Sequence, residues 1–227
     1  MTEPLDLANR PGGAPGEPGE PVDPEDPAQA AVATYAAAHD DLVLAGAEAV
    51  QLVTSVLDEA GINYLTISGR TKSVASFAEK ATRSRDGVRL YTDPLREIGD
   101  QLGVRVITYV RDDVAAVADL LADQVVVADD RDLGRETASE GRFGYASRHL
   151  QIVLDAAREG QPAYAHLLGR NVQVQIRTVL QHAWAEFEHD IRYKGTVPAE
   201  HTHDFDRRFT LAAGLLELAD QEFATIR

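Results

Sequence analysis

The chain has no cysteine, so neither a disulfide framework nor a thiolate site is available to it. It also has no apolar run near the roughly 20 residues that a membrane span requires. The N-terminus lacks a basic segment followed by an apolar stretch, so no secretory signal is expected and the cytoplasm is the expected compartment. Positive charge is scarce: 22 Lys and Arg against 37 Asp and Glu give a net charge of −15. That balance argues against extensive contact with nucleic acid, which depends on a basic surface to neutralise phosphates. A local cluster of cations can still hold a triphosphate, and it would stand out against this background.

Proline is scarce after residue 27, because seven of the ten prolines precede that point, most beside Gly, Glu or Asp. A segment so poor in large apolar residues cannot bury enough surface to offset its ordering entropy, so residues 1–27 are expected to form a disordered acidic tail. The whole chain, with 44% apolar and 26% charged residues, has globular composition, and residues 28–227 have room for one sizeable core rather than two. No internal repeat is visible.

What is present is organised around Asn171 to Lys194, NVQVQIRTVLQHAWAEFEHDIRYK. Val172, Val174 and Ile176 alternate with Gln173, Gln175 and Arg177, the period of a half-buried strand whose other face is wholly polar. From Thr178, a suitable N-cap, the period changes. Leu180, Ala183, Trp184, Phe187 and Ile191 give the stripe of a helix facing a core, and His182, Glu186 and His189 occupy its other side. On spacing alone this is either a site wall or an ordinary strand-helix corner.

Upstream, Tyr35, Leu42, Ala45, Ala49, Leu52, Val53 and Val56 recur at helical spacing over about 27–60, with Gly46 as a weak point and Gly61 as the residue that ends the helix. Ile62 to Ser68 reads as a short strand buried on both faces. The following Gly69-Arg70-Thr71-Lys72-Ser73 leads into a helix with Val74, Phe77 and Ala78, and Lys80 lies two turns on. Cations beside a glycine at a helix start can hold an anion, although such a pattern is weak by itself. Asp93-Pro94 starts a helix through Leu95, Ile98 and Leu102, and Gly103 turns it into a strand, Val104 to Val110, with Asp100 and Arg105 flanking the turn. Asp112-Asp113 caps a helix to Leu121, and Gln124 to Ala128 is a strand. Asp129 to Gly141 is a polar loop without periodicity. His149 to Leu154 forms a strand, Pro162 to Leu168 a short helix, and Phe205 to Ile226 a last amphipathic helix that packs on the sheet or on a partner subunit, which leaves homo-oligomerisation open.

These motifs together resemble the RelA/SpoT-type alarmone synthetase family. The organising stretch is similar to its E-[IV]-Q-[IVL]-R-T strand followed by a helix of the type HAWAExEHDxxYK, and Arg70-Thr71-Lys72-Ser73 matches its R-x-K-S signature. DQLGVRVITYV resembles D-[IL]-x-[AG]-[IV]-R-[IV], and FGYASRHL resembles G-Y-x-S-x-H. The likeness spans about Ile62 to Lys194, with four motifs in order. It implies that Arg70, Lys72, Lys80 and Arg105 hold ATP phosphates, that Asp100 binds Mg²⁺, and that Tyr145 stacks on the acceptor guanine. It further implies that His149, Gln175 and Arg177 line the GTP side. The chain departs from the family where a catalytic glutamate is replaced by Gln173. The loop lysines of the family are also missing, with Arg131, Arg135 and Arg142 the cations available there.

The expected architecture is one α/β (α+β) domain, a mixed five-stranded sheet flanked by helices, and the resemblance implies a nucleotidyltransferase-like synthetase core without a hydrolase domain. The implied reaction is transfer of pyrophosphate from ATP to the 3′-hydroxyl of GTP or GDP, giving the (p)ppGpp alarmone of the stringent response. Gln173 implies reduced but measurable activity. Two alternatives stay open: a nucleotide-binding relative without chemistry, and a toxic synthetase that modifies tRNA, which the acidic balance disfavours.

Overall fold

The computed structural model describes residues 26–139, 147–194 and 202–227. All but the last two residues of the expected tail thus fall outside the described residues. Asp26 and Pro27 belong to a helix start: the Asp26 carboxylate accepts from Ala28 N–H at 3.0 Å, and Pro27 occupies the first turn of α1, Pro27–Ala37.

Five strands form a mixed sheet: β1 Thr66–Thr71, β4 Leu102–Thr108, β5 Val126–Asp132, β6 Arg148–Val153 and β7 Val172–Thr178, in the order β1-β4-β7-β6-β5. A two-stranded ribbon, β2 Ser84–Arg85 with β3 Val88–Arg89, stands apart from it. β4 and β7 run parallel, and the other neighbours are antiparallel. The alternation in β7 explains the two unlike faces of the sheet. Val172, Val174 and Ile176 are buried beside Leu102, Val104 and Val106 of β4 and Leu150 and Ile152 of β6. Helices α2, His39–Glu59, and α5, Arg111–Gln124, cover that face. Each fully buried Leu, Ile or Phe there contributes about 1.5–3 kcal/mol by transfer from water. The alternate positions turn to the opposite, polar face.

Several boundaries differ from the sequence reading. The first helix is broken at Ala38 into α1 and α2, because α1 packs on α3, Val74–Ala81, whereas α2 packs on the sheet. Tyr35 fixes that contact by stacking on Phe77, with ring centroids 4.0 Å apart and planes 2° from parallel. Gly46 is a close approach and not a weak point, since a Cβ there would meet Thr71 Oγ1 at 2.7 Å. The first strand starts at Thr66, not Ile62, and is an exposed edge strand rather than one buried on both faces, since β4 is its one neighbour in the sheet. Helix α4 stops after Pro94–Glu97. Gln101 Nε2 donates to the carbonyls of Leu95 and Ile98, ending the helix and starting β4 two residues before Val104.

Val110, not Asp112 or Asp113, is the N-cap of α5. The expected loop after Ala128 is ordered where described: β5 runs to Asp132 and α6, Leu133–Ser139, follows. The Asp132 carboxylate accepts from Arg135 N–H at 3.0 Å, and Glu136 pairs with Arg131 at 2.7 Å, so local polar bonds supply an order that hydrophobic periodicity does not signal. The connection before β7 has only a 3₁₀ turn, Pro162–Tyr164. Trp184 of α7, Val179–Lys194, is buried against Phe209 and Ala213 of α8, Thr202–Ile226. The expected stripes are only partly used, with Phe187, Leu215, Leu218 and Phe223 exposed. α8 rests mainly on α7 and α5, and it meets the sheet at the end of β7, where Asp220 accepts from the Thr178 hydroxyl.

Candidate functional site

Sheet register assembles the polar face row by row. Arg70 lies opposite Gly103, Gly103 opposite Gln173, and Gln173 opposite Gln151. One step along the strands, Ser68, Arg105, Gln175, His149 and Arg131 form the next row. Residues far apart in sequence thus share one surface, with neighbouring strands about 4.8 Å apart.

At the edge of this face the turn between α4 and β4 carries Asp100. Its carboxylate is clamped by Lys72 Nζ and Lys80 Nζ, each at 3.0 Å. Lys72 is buried, and its backbone is held at both ends: its N–H donates to Gln101 O at 2.8 Å, and its carbonyl accepts from the Tyr35 hydroxyl at 2.7 Å. Burial, reinforced by the Asp100 charge, pushes the Tyr35 hydroxyl up to about 12, so it remains a donor at neutral pH. Burial alone would raise the Asp100 carboxyl, but hydrogen bonds from Lys80 and Lys72 outweigh it and hold the group below the usual carboxylate range. Three of the expected phosphate and metal residues therefore converge, brought together by the start and end of α3 and the turn before β4.

Along β7 the side chains form a chain of hydrogen bonds. Arg177 Nη2 donates to Gln175 Oε1 at 3.2 Å, and Gln175 Nε2 donates to Gln173 Oε1 at 3.0 Å. Arg177 Nε donates to Ser147 Oγ at 3.2 Å. Arg177 is buried, and desolvation, with Arg105 nearby, brings its guanidinium down to about 10, still fully charged at pH 7. Arg105 reaches from β4 to Glu186 Oε1 of α7 at 2.9 Å, and His182 Nδ1 lies 3.7 Å from the same oxygen. His149 is lowered by burial first and by Arg131 second, so it is neutral at pH 7. Thr178 caps α7 as expected, its hydroxyl accepting from Gln181 N–H at 3.1 Å while Gln181 Oε1 accepts from Thr178 N–H at 2.9 Å. This reciprocal capping fixes the angle at which α7 leaves the sheet.

Tyr145 and Arg142 lie outside the described residues. The structure links two further residues to the site, neither of which the sequence assigns to it. Gln151 faces Gln173 across β6 and donates to Gly99 O at 3.1 Å, tying the polar face to the Asp100 turn. Its signal was the alternation of His149 and Gln151 with Leu150 and Ile152. Tyr35 anchors Lys72 from 37 residues away, which no local pattern announces.

Among the described residues no three acidic or imidazole side chains converge as a metal cage. One carboxylate beside two lysines instead fits a magnesium ion shared with substrate phosphates, since Mg²⁺ commonly uses one or two carboxylates and completes its shell with phosphate oxygens and water.

A mixed sheet with one helix-covered face and one open polar face, edged by a carboxylate and lined by Lys, Arg and amides, defines a phosphoryl-transfer class of site. The chain belongs to the RelA/SpoT family: residues 69–197 match the family described as the region found in RelA / SpoT proteins. It is 32% identical over 177 residues to GTP pyrophosphokinase YjbM of Bacillus subtilis (strain 168), covering 75% of this chain and 74% of that protein. Its fold is that of the crystal structure of small alarmone synthetase 1 from Bacillus subtilis, with a TM-score of 0.65 at 23% identity over 86% of this chain and 96% of that one. The same synthetase bound to its product pppGpp superposes with a TM-score of 0.56 at 24% identity, covering 78% of this chain and 86% of that one.

Proposed function

We propose that this chain is a small alarmone synthetase that transfers the β,γ-pyrophosphoryl group of ATP to the 3′-hydroxyl of GTP or GDP. The observation that carries the reading is the Asp100 carboxylate clamped between Lys72 and Lys80 at the edge of a polar sheet face that also holds Arg70 and Arg105. In the reaction the acceptor 3′-oxygen forms a bond to the β-phosphorus as the bond from that phosphorus to the α,β-bridging oxygen breaks. AMP leaves, and the hydroxyl proton passes to solvent.

Lys72, Lys80, Arg70 and Arg105 bind the ATP phosphates and neutralise the charge that spreads over their oxygens, where most of the catalytic effect of such transfers arises. Phosphates entering the site compete with Asp100 for its two lysines and with Glu186 for Arg105. Asp100 would hold a Mg²⁺ ion, which when bound polarises the phosphoryl oxygens. Tyr145 stacks on the acceptor base. Neutral His149 and Gln175 orient the acceptor from the next row, with Arg177 one step further along β7.

Gln173 cannot remove a proton, and its amide oxygen is already engaged by Gln175. Loss of a general base typically costs about 10²- to 10⁴-fold in rate, so a weak enzyme is expected. That same residue supports a second reading, a nucleotide-binding relative without turnover. Among the described residues no helix is long and apolar enough to cross a membrane. The test is to incubate purified protein with labelled ATP, Mg²⁺ and, separately, GMP, GDP, GTP or tRNA, and to resolve the products. Labelled pyrophosphate on GDP or GTP supports the synthetase, label on tRNA alone replaces it, and tight binding of both nucleotides without product supports the second reading.

A further inference from the structure

Behind the turn that carries Asp100, at the start of β4 and β7, lies a cleft of about 460 Å³. It is lined by Arg96 from the end of α4, by Gly99 and Gln101 of the turn, and by Gly169, Arg170 and Asn171 from the approach to β7. No Asp or Glu lines it, and none of the residues assigned above to the catalytic face does. In a chain of net charge −15, two arginines around a cleft free of acids are unusual. Among the described residues neither is ion-paired, whereas Arg83, Arg89, Arg105, Arg131 and Arg148 all are.

Arg170 is also held in place by a chain of contacts that the catalytic face does not use. The Glu48 carboxylate, largely buried on α2, accepts from His166 N–H at 2.9 Å, from Leu167 N–H at 3.1 Å and from His166 Nδ1 at 2.6 Å. The carbonyl of His166 in turn accepts from Arg170 Nε at 2.8 Å. Gly169, at φ +70°, takes the left-handed conformation just before Arg170. The result is a guanidinium with its Nε fixed and its two terminal nitrogens left for a ligand. A planar fork of this kind matches the oxygens of a phosphate, and pre-fixing it reduces the entropy lost on binding. Buried Leu42 and Leu102 add apolar lining, and the cleft's volume lies within the range of about 300–1,000 Å³ common for small-molecule sites.

We propose that this cleft is a second binding site, taking a phosphate-bearing small molecule whose phosphate is gripped by Arg96 and Arg170. The site stands independently of the synthetase reading, because its residues are separate from those of the catalytic face. Calorimetric titration of the full chain tests it, using inorganic phosphate, pyrophosphate and cytidine monophosphate as separate probes, each with and without a saturating non-hydrolysable ATP analogue.

The expected result is that at least one probe binds in the presence of the analogue. Arg96→Gln with Arg170→Gln should weaken that binding at least about tenfold while leaving the affinity for the analogue unchanged. Binding of phosphate or pyrophosphate identifies a site that reads the phosphate alone, and binding of the monophosphate only identifies a nucleotide site. Arg96→Gln alone, an exposed change, provides the same comparison in a smaller step if the double variant does not fold. The proposal is overturned if no probe binds the wild type at roughly millimolar concentration, if the variants bind as the wild type does, or if the analogue displaces the probe. Failure of the analogue itself to bind counts against the synthetase reading and leaves the titration without it as the test of the cleft.

Discussion

Arg105 on β4 and Glu186 on α7 are joined by a 2.9 Å ion pair across 81 residues of sequence, directly over the row of the sheet that holds Gln175. α7 thereby brings a carboxylate to the polar face of a chain whose strand supplies a glutamine where the family has glutamate. In the free protein that carboxylate is occupied with Arg105. The site as a whole has this character: acidic groups neutralise its cations, Asp100 at Lys72 and Lys80 and Glu186 at Arg105.

Asp100→Asn is expected to abolish Mg²⁺-dependent turnover while the fold persists. The change removes the charge that two lysines share, and an amide is a poor ligand for a hard cation. Because the folded pKa of Asp100 is depressed, its contribution to stability is present above the ordinary value of about 3.9 and is lost as pH falls through the lowered folded value. Turnover at saturating Mg²⁺, measured beside circular dichroism, checks this. Near-wild-type activity would place the metal elsewhere.

Tyr145→Ala is expected to raise KM for the guanine nucleotide while leaving KM for ATP little changed. Stacking on a base is worth about 1–3 kcal/mol in single-strand binders, which corresponds to a shift of roughly 5- to 150-fold. Equal increases for both substrates would make Tyr145 a structural residue.

Asp220 of α8 accepts from the Thr178 hydroxyl at 2.6 Å and is buried, which locks the end of β7 and the start of α7 to the last helix. Desolvation raises its pKa, and the bond from Thr178 only partly opposes this. Between about pH 3.9 and the raised value the native state binds more protons than the unfolded chain, so this group lowers stability as pH rises through that window. Asp220→Asn keeps an acceptor for Thr178 and should flatten that part of the pH profile. Asp220→Ala removes the acceptor and should cost about 1–3 kcal/mol at neutral pH. Thermal denaturation of the three proteins between acidic and neutral pH distinguishes these outcomes.

Gly69→Ala places a Cβ 2.5 Å from Val50 Cγ2. Val50 is β-branched within a helix and has little rotamer freedom to yield, so the strand must move off α2. The expected cost is about 1–3 kcal/mol, with a loss of ATP affinity because Arg70 is the next residue. Urea denaturation and an ATP-analogue titration measure the two effects; an unchanged denaturation midpoint would contradict the close approach.

The sheet and its two faces were legible because β7 and β6 alternate cleanly, and because Arg70, Lys72, Asp100 and Arg105 fall in short motifs. Where the structure departs, the cause is tertiary. Nothing local in PAQAAVATYAAAHDDL announces the break at Ala38, which follows from α1 and α2 packing on different partners. The end of α4 depends on one glutamine side chain, Gln101, folding back onto two carbonyls. The α6 segment has polar capping instead of a hydrophobic stripe, so periodicity could not reveal it. Likewise Gln151 and Tyr35 act through register and long-range bonds that only the assembled sheet and helices make visible.

The most direct test compares the wild-type chain with Gln173→Glu for formation of 3′-pyrophosphorylated GDP and GTP from ATP and Mg²⁺. Slow but measurable product is expected from the wild type and about 10²- to 10⁴-fold more from the variant, the range a restored general base supplies. Absence of product from both proteins, with both nucleotides bound, would contradict that expectation.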